Sequence, residues 1–337
     1  MLRIALLSAL LAAGCSQPDA CGTACDYEHE LLRQLHEEMH PYFERTGEQG
    51  TFTGAEGVTI AHVSFMHPGA RTAIVFAPGR TEGSHTFMQL LYDLRDLPYD
   101  VHVIDHRGQG ASGRLLEDPL SGHVDRFDNY VIDYAQFVRD VVKPERYDRV
   151  VGAGHSMGSA ISLRYAMENP GSLDELILSA PMLEMNFGVA SEELALAYAS
   201  SVAPHVTLPD GAGGSDPAFL GNYLTNDPHQ FDLLYETDNL YPERRVRAAT
   251  YGWLAESIRA TQYIRAHASL VTLPVLMFQA GSDGVVNPAA QTAFCAAVSD
   301  CELVTFPDAR HELYFAESST RLAIMERVVQ QLAQPAQ

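Results

Sequence analysis

Short apolar runs recur along the chain, and between them apolar residues return every three or four positions. The runs are almost continuously apolar, which is typical of strands buried on both faces of a sheet. They lie at Ala73–Ala77, Val101–Asp105, Val150–Gly154, Leu176–Ser179, Val275–Gln279 and Glu302–Phe306. Between two of these runs, Val131, Tyr134 and Val138 stand at helical spacing. The alternation predicts an α/β fold with a mostly parallel, doubly wound sheet.

The alternation begins irregularly and is interrupted once. Val58–Phe65 alternates apolar and polar residues, which predicts an earlier and more exposed strand. The strand pattern stops after Pro181 and resumes only at Leu273. We therefore expect a core and a helical lid inserted over the strand ends, preceded by an N-terminal segment. The expected bounds are residues 51–182 and 271–330 for the core, 183–270 for the lid and 15–50 for the N-terminal segment.

Composition and charge narrow the class of protein. Of 337 residues, 46% are hydrophobic and 19% are charged, which excludes a disordered chain, a coiled coil and a collagen-like fibre. The formal net charge is −21, from 22 basic and 43 acidic residues. General nucleic-acid binding needs a basic surface that displaces counterions, so we expect no nucleic-acid partner.

The chain begins with the pattern of an export signal. One positive charge precedes an apolar run, Ile4–Ala13, which is too short to span a bilayer and fits a secretory signal peptide. Leu10–Cys15 resembles a bacterial lipobox, in which the cysteine is lipidated and becomes the mature N-terminus. We predict a signal peptide over residues 1–14 and a lipidated Cys15 that anchors the protein to a membrane, facing the periplasm or the outside. The alternatives are cleavage near Ala13, which gives a soluble periplasmic or secreted protein, and an uncleaved cytoplasmic start.

Four cysteines remain when Cys15 is set aside, and we expect them to form disulfides. An even number in an exported chain suggests two bridges, with three possible pairings. Local pairs are the simplest arrangement, and free buried thiols are the alternative. The spacings do not match a four-cysteine zinc site. The candidates are Cys21 with Cys25 and Cys295 with Cys301.

A G-x-S-x-G motif carries the clearest chemistry. Residues 154–158 read Gly-His-Ser-Met-Gly between a predicted strand and a predicted helix, the context of a nucleophile elbow. The sharp turn raises the serine hydroxyl above the sheet, and the glycines leave room where the helix meets the strand. Ser156 is therefore the predicted nucleophile, and the backbone N–H of Met157 is a predicted donor to an oxyanion. The second donor is expected in the loop Ala77–Gly83, at the backbone N–H of Arg80.

A serine nucleophile needs a base, and the base needs an orienting acid. In this architecture the chain order is Ser, Asp, His. Asp283 follows the late strand Val275–Gln279 in a turn, and His311 lies in the loop after the last strand. We predict that His311 is the base and that Asp283 orients it. Asp308 is too near the histidine in sequence to be favoured as the acid.

Together with the loops Pro78–Glu82 and Ile104–Gly113, these residues resemble the α/β-hydrolase family over roughly residues 50–330. More narrowly, they resemble the serine lysophospholipase and monoacylglycerol lipase branch, bacterial lysophospholipases above all. Monoacylglycerol lipases usually have His-Gly where this chain has Pro78-Gly79-Arg80, which is closer to the bacterial lysophospholipases. The resemblance implies an α/β-hydrolase fold and a structural role for Asp105–Gly113.

The resemblance also implies a serine carboxylester hydrolase that releases a fatty acid from lysophospholipids through an acyl-serine intermediate. It implies a lipid ester as substrate and neither a metal nor an organic cofactor. A monoacylglycerol lipase or general carboxylesterase with the same triad is the first alternative. The alternative from another class is a non-catalytic lipoprotein that binds lipid or a partner, and the intact triad speaks against it.

Two further features need an interpretation. His36–His40 matches the H-E-x-x-H motif of zinc proteases, but Pro41 follows at once and the extended motif's third histidine is absent. We therefore expect a solvated amphipathic helix there. In the lid, large apolar side chains are candidates either for a wall along an acyl chain or for packing the lid onto the body. They are Leu194, Leu196, Tyr198, Phe219, Tyr223 and Trp253.

Overall fold

Strands and helices alternate along the computed structural model, which describes residues 30–209 and 218–334. The strands of this part of the chain are β1 (Glu48–Thr53), β2 (Thr59–Phe65), β3 (Thr72–Ala77), β4 (Tyr99–Ile104), β5 (Ser121–Gly122), β6 (Arg149–His155), β7 (Glu175–Ser179), β8 (Ala248–Ala249), β9 (Val275–Ala280) and β10 (Cys301–Phe306). The longer helices are α1 (residues 30–46), α2 (Met88–Leu94), α3 (Asp128–Phe137), α4 (Ser156–Glu168), α5 (Glu192–Ser201), α6 (Pro228–Leu240), α7 (Tyr251–Ala266), α8 (Pro288–Ala297) and α9 (Ser318–Leu332).

Eight of the described strands form one sheet in the order β1-β2-β4-β3-β6-β7-β9-β10. The pairs β1–β2 and β2–β4 are antiparallel, and every other neighbouring pair of this sheet is parallel. One layer of the hydrophobic core lies beneath α3, α4 and α8, and the other lies beneath α1, α2 and α9. The sheet is therefore covered by helices on both faces, as the alternating pattern predicted.

Two strands differ in burial from the sequence expectation. β2 is mostly buried rather than exposed, because α1 packs on one of its faces and brings Phe43 to 5.8 Å from Phe65, measured between ring centres. β10 was expected to be buried on both faces, but it is the last strand of the sheet and most of its side chains are partly exposed. Periodicity alone does not reveal which strand occupies an edge.

The N-terminal helix belongs to the body of the protein. Within α1, Leu35–Met39 is π-helical and His40–Thr46 is α-helical. Leu35, Met39 and Phe43 are buried in the core layer that α1 shares with α2 and α9. The amphipathic helix expected over His36–His40 is present with His36 and Glu37 exposed, but it is not solvated all round, because its apolar face packs into the core.

The chain leaves the sheet between β7 and β9. It forms α5, α6 and α7 there, together with β8, which pairs with β5 of the body. Each of these helices begins at a side-chain cap, supplied by Ser191, Asp227 and Thr250. Across residues 30–209 and 218–334, every helix is too short or too polar to cross a membrane.

Candidate active site

Ser156 lies at the junction of β6 and α4, in a backbone conformation that few residues other than glycine adopt. Its φ is +48°, in the left-handed region. A Cβ at Gly158 would lie 1.9 Å from the carbonyl oxygen of Ala77, and a Cβ at Gly154 would lie 2.8 Å from the backbone nitrogen of Ser159. These two glycines therefore allow α4 to approach the ends of β3 and β6, and the turn holds Ser156 above the sheet.

The structure brings the three predicted catalytic side chains together. His311 Nε2 lies 2.9 Å from Ser156 Oγ, and His311 Nδ1 lies 2.7 Å from Asp283 Oδ2. The other carboxylate oxygen, Asp283 Oδ1, accepts the backbone N–H groups of Val285 and Val286 at 2.8 and 2.9 Å. All three side chains are buried. This arrangement can transfer a proton from the serine to the histidine and stabilise the imidazolium that results.

The loop that carries His311 is bound to the insertion between β7 and β9. The backbone N–H of Glu312 donates to the carbonyl oxygen of Leu224 at 2.8 Å. Arg310 Nη1 donates to the carbonyl oxygens of Asn222 and Thr225 at 3.0 and 3.2 Å. Sequence reasoning placed the insertion over the site but missed that it also holds the base in place.

The loop after β3 has the position expected of an oxyanion loop. Arg80 lines the same cavity as Ser156 and His311. Gln109 Nε2 donates to the carbonyl oxygens of Gly79 and Glu82 at 2.6 and 2.7 Å, which braces the loop from behind. The stretch Asp105–Gly113 thus supports the site without reaching Ser156, and the roles of the Arg80 and Met157 N–H groups remain predictions.

A cluster of charged side chains, Glu82, His155 and Glu312, lies directly behind the triad. His155 Nδ1 is 3.0 Å from Glu82 Oε1, and His155 Nε2 is 3.3 Å from the carbonyl oxygen of His311. Glu312 Oε2 lies 3.6 Å from the same Nε2. All three side chains are buried, and Glu82 also accepts the backbone N–H of Gly79. Sequence reasoning missed this cluster, although each member adjoins a predicted site segment.

The cavity at Ser156 has a volume of about 260 Å³ and a different wall from the one expected. Its apolar lining comes from Leu224, Leu234, Tyr235 and Val285. None of the six predicted wall residues lines it. Trp253 is buried without lining this cavity, whereas the other five are at least partly exposed.

The guanidinium group of Arg80 has no carboxylate partner within ion-pairing distance among residues 30–209 and 218–334. It stacks on Trp253, with 5.2 Å between its central carbon and the ring centre. Its two terminal nitrogens lie 3.4 Å from the carbonyl oxygen of Arg247. Burial lowers the pKa of Arg80 to about 10, which still leaves the side chain charged at neutral pH. The site therefore includes a partly buried cation that has no carboxylate partner among the described residues.

Two groups of described residues have the composition of metal ligands. His155, His311 and Glu312 belong to the site above, and both histidines are engaged by protein partners. The second group is His123, Asp125 and His205, with His123 Nε2 3.1 Å from Asp125 Oδ1.

The H-E-x-x-H histidines do not converge on a metal position in the described part of the chain. His36 instead faces Glu236 at 3.2 Å, and His40 contacts the hydroxyl of Tyr241 at 3.1 Å.

A disulfide joins Cys295 to Cys301, which is one of the two predicted local cysteine pairs. Cys21 and Cys25 lie outside the described residues, as does Cys15 with the whole predicted signal peptide.

Comparisons with known proteins identify the family of this chain. Residues 68–318 match the family described as serine aminopeptidase, S33. Lysophospholipase L2 of Escherichia coli is 32% identical over 309 residues, which cover 85% of this chain and 88% of that protein. A monoacylglycerol lipase of Mycolicibacterium smegmatis is 23% identical over 273 residues, covering 80% of this chain and 91% of that one.

Solved structures agree on the fold. A soluble variant of monoglyceride lipase from Saccharomyces cerevisiae is 16% identical, with a TM-score of 0.68 over 86% of this chain and 97% of that one. This likeness confirms the predicted α/β-hydrolase fold. With the family match over residues 68–318, the conclusion is that the chain belongs to the serine aminopeptidase S33 family of α/β-hydrolases.

Proposed function

We propose that the protein is a serine carboxylester hydrolase that releases a fatty acid from lysophospholipids. The observation that carries this function is the buried Ser156–His311–Asp283 arrangement at the floor of a partly apolar cavity. The 32% identity to lysophospholipase L2 over most of both chains supports the same substrate class.

The mechanism follows from the geometry. His311 Nε2 takes the proton of Ser156 as the hydroxyl oxygen attacks the acyl carbonyl carbon. The backbone N–H groups of Met157 and Arg80 hold the resulting oxyanion. His311 then protonates the departing glycerol oxygen, which leaves an acyl-serine. Water, deprotonated by the same nitrogen, releases the fatty acid, while Asp283 stabilises each imidazolium.

The guanidinium of Arg80 has no carboxylate partner among the described residues, which favours a phosphate-bearing substrate over a monoacylglycerol. A partly buried cation loses part of its hydration, and a phosphate oxygen would compensate for this loss with a charge-assisted hydrogen bond. Arg80→Met keeps the backbone N–H and removes the charge. We expect it to lower kcat/KM for a lysophospholipid at least ten times more than for a monoacylglycerol. Arg244→Met removes a guanidinium that belongs to the insertion. It should leave the ratio of the kcat/KM values for lysophospholipid and monoacylglycerol near that of the wild type.

A substrate panel tests the function itself. Fatty-acid release is measured with lysophosphatidylcholine, lysophosphatidylglycerol, monoacylglycerol and a short p-nitrophenyl ester. The expected result is a highest kcat/KM for the lysophospholipids and loss of all turnover in Ser156→Ala. A preference for monoacylglycerol would assign the protein to that reaction instead. Folded protein with no release from any ester would favour a non-catalytic lipid-binding lipoprotein.

Export and lipidation belong to the same proposal and rest on the sequence of residues 1–15. Mass spectrometry of the mature protein should find a lipid-modified Cys15 at the N-terminus, with the protein in the membrane fraction. Cys15→Ser should move it out of that fraction, and Cys21→Ser is the matched control. A lipid-free mature chain that begins near residue 14 would show ordinary secretion instead.

A further inference from the structure

The proposed mechanism leaves the buried cluster Glu82–His155–Glu312 without a task. Its members come from three separate parts of the site. Glu82 lies in the loop after β3, His155 precedes the nucleophile at the end of β6, and Glu312 follows the base. The rings of His155 and His311 are 4.9 Å apart, measured between centres. Charged groups this close to the reacting atoms act on the positions and the proton affinities of those atoms.

Both ring nitrogens of His155 face acceptors. Nδ1 lies 3.0 and 3.2 Å from the two carboxylate oxygens of Glu82. Nε2 lies 3.3 Å from the carbonyl oxygen of His311, with a carboxylate oxygen of Glu312 at 3.6 Å. A neutral imidazole has one donor and one lone pair, so one of its nitrogens would point a lone pair at an acceptor. Only the doubly protonated ring donates on both sides.

The charges around the ring are compatible with a cation. Burial lowers the pKa of His155, but the carboxylates of Glu312 and Glu82 outweigh it and the net shift is upward. Burial raises the pKa of Glu312, and the neighbouring Glu82 raises it further. The other ionisable groups of the described residues that face the cluster are Asp283, His311 and Tyr314. The ring of Phe87 lies 6.3 Å from that of His155, measured between centres.

The cluster connects the oxyanion loop with the base. Glu82 accepts the N–H of Gly79, and a Cβ at Gly79 would lie 2.8 Å from the Glu82 carboxylate and 3.0 Å from His155 Nδ1. On its other side, His155 donates to the backbone of His311. We propose that His155 is a positioning residue, held as an imidazolium, that fixes the oxyanion loop relative to His311 behind Ser156.

Nitrogen NMR of the full chain labelled at histidine tests the protonation state directly. We expect both ring nitrogens of His155 to show the imidazolium chemical shift from pH 6 to pH 8. The signal is assigned by its absence from His155→Gln, or by its displacement in Glu82→Gln should the first variant fail to fold. A His155 signal with one unprotonated nitrogen at pH 7 would overturn the proposal.

Kinetics on a soluble p-nitrophenyl ester test the positioning role. His155→Gln and Glu82→Gln should lower kcat by 10- to 100-fold with KM changed less than threefold, because a displaced oxyanion loop weakens contacts that form in the transition state. Both should also shift the pH profile of kcat/KM, because they change the charge beside His311. His102→Gln, a buried histidine substitution in β4, is the matched control for structural damage. A wild-type kcat in both cluster variants would contradict the proposal.

The inference rests on the serine-hydrolase part of the proposed function, but the two fail separately. The NMR signature needs no turnover, and the aryl ester carries no phosphate. A protein that prefers monoacylglycerols would therefore refute the lysophospholipid assignment and leave the imidazolium intact. A neutral His155 in an active lysophospholipase would refute only the present inference.

Discussion

At Asp283, each carboxylate oxygen has a separate task. Oδ2 accepts the hydrogen bond from His311 Nδ1, while Oδ1 accepts two backbone N–H groups and fixes the turn after β9. The second interaction orients the carboxylate independently of the histidine. The side chain therefore holds the His311 tautomer in which Nε2 is free to accept the proton of Ser156.

Asp283→Asn should lower kcat for an ester substrate by about 10³- to 10⁴-fold, because the amide favours the wrong tautomer of His311. KM should change little, since the substitution is isosteric and the cavity wall is unchanged. Steady-state kinetics on a p-nitrophenyl ester measures both constants. Asp308→Asn is the control, because Asp308 precedes the base by three positions and forms no hydrogen bond or ion pair with it among the described residues. Equal losses in the two variants would contradict the assignment.

The sequence was sufficient to predict the triad but not the residues that support it. Ser156 stands in a motif with a defined context, and chain order then points to Asp283 and His311. The cluster around His155 has no local signal, because Glu82 and His155 are 73 positions apart and meet only where β3 and β6 pair. Such contacts depend on which strand ends become neighbours, which no local pattern encodes.

At the scale of secondary-structure elements, the close approach of α4 to β3 depends on one residue. Gly158 lies in the first turn of α4, and any side chain there would overlap the carbonyl groups of Ala77 and Pro78. The helix would have to move away from the sheet and carry Ser156 with it. A local change at this contact therefore affects both the stability and the chemistry of the protein.

Gly158→Ala should lower the free energy of unfolding by about 3 kcal/mol, through overpacking of a rigid helix–strand contact. It should also reduce kcat sharply, because the Ser156 hydroxyl loses its position relative to His311. Chemical denaturation and ester kinetics measure the two effects. Gly171→Ala is the control. It has open space around its Cβ and a φ of +81°, so it should cost about 1 kcal/mol and leave kcat unaffected. A Gly158→Ala protein with normal kcat would contradict the claim that the contact at Gly158 positions Ser156.

Strands could be predicted from the sequence where both of their faces are buried, because such strands are almost continuously apolar. The apolar runs gave β3, β4, β6, β7 and β9 nearly to the residue, because these strands are covered on both faces. The strand β1 was not predicted, since Glu48–Thr53 is polar and pairs only with β2 at the edge of the sheet. For β2 the expected exposure was wrong because α1, which covers it, comes from a segment that was expected to be solvated.

Across the whole molecule, stability depends on histidines that fold without their proton. Burial lowers the pKa of His106 to about 3 and that of His102 to about 4. An unfolded histidine titrates near pH 6.5, so between these values the unfolded chain binds more protons than the folded one. The contribution of each group to stability is thus complete above pH 6.5 and decreases as the pH falls below it.

Between pH 7 and pH 5, His106 should therefore contribute a decrease of about 2 kcal/mol to the free energy of unfolding. His106→Gln has no such proton to exclude and should reduce the pH dependence by that amount. Urea denaturation at several pH values gives the comparison. His36→Gln replaces a half-exposed histidine and is the control for the loss of an imidazole at the surface. An unchanged slope in His106→Gln would show that the acid sensitivity arises elsewhere.

The loop that carries His311 is hydrogen-bonded to Asn222, Leu224 and Thr225 of the insertion. These bonds limit which parts of the insertion can be exchanged with those of a relative. An exchange of the complete insertion with that of a relative would replace the whole segment between β7 and β9. It would also replace the backbone carbonyl groups that bind Arg310 and Glu312. The recipient would then have to supply an equivalent support for its base. A transplant that ends before residue 222 would change the approach to the cavity and retain the native support of His311. A chimera that is meant to change only the approach to the cavity should therefore exchange the part of the insertion before residue 222 and keep the part after it.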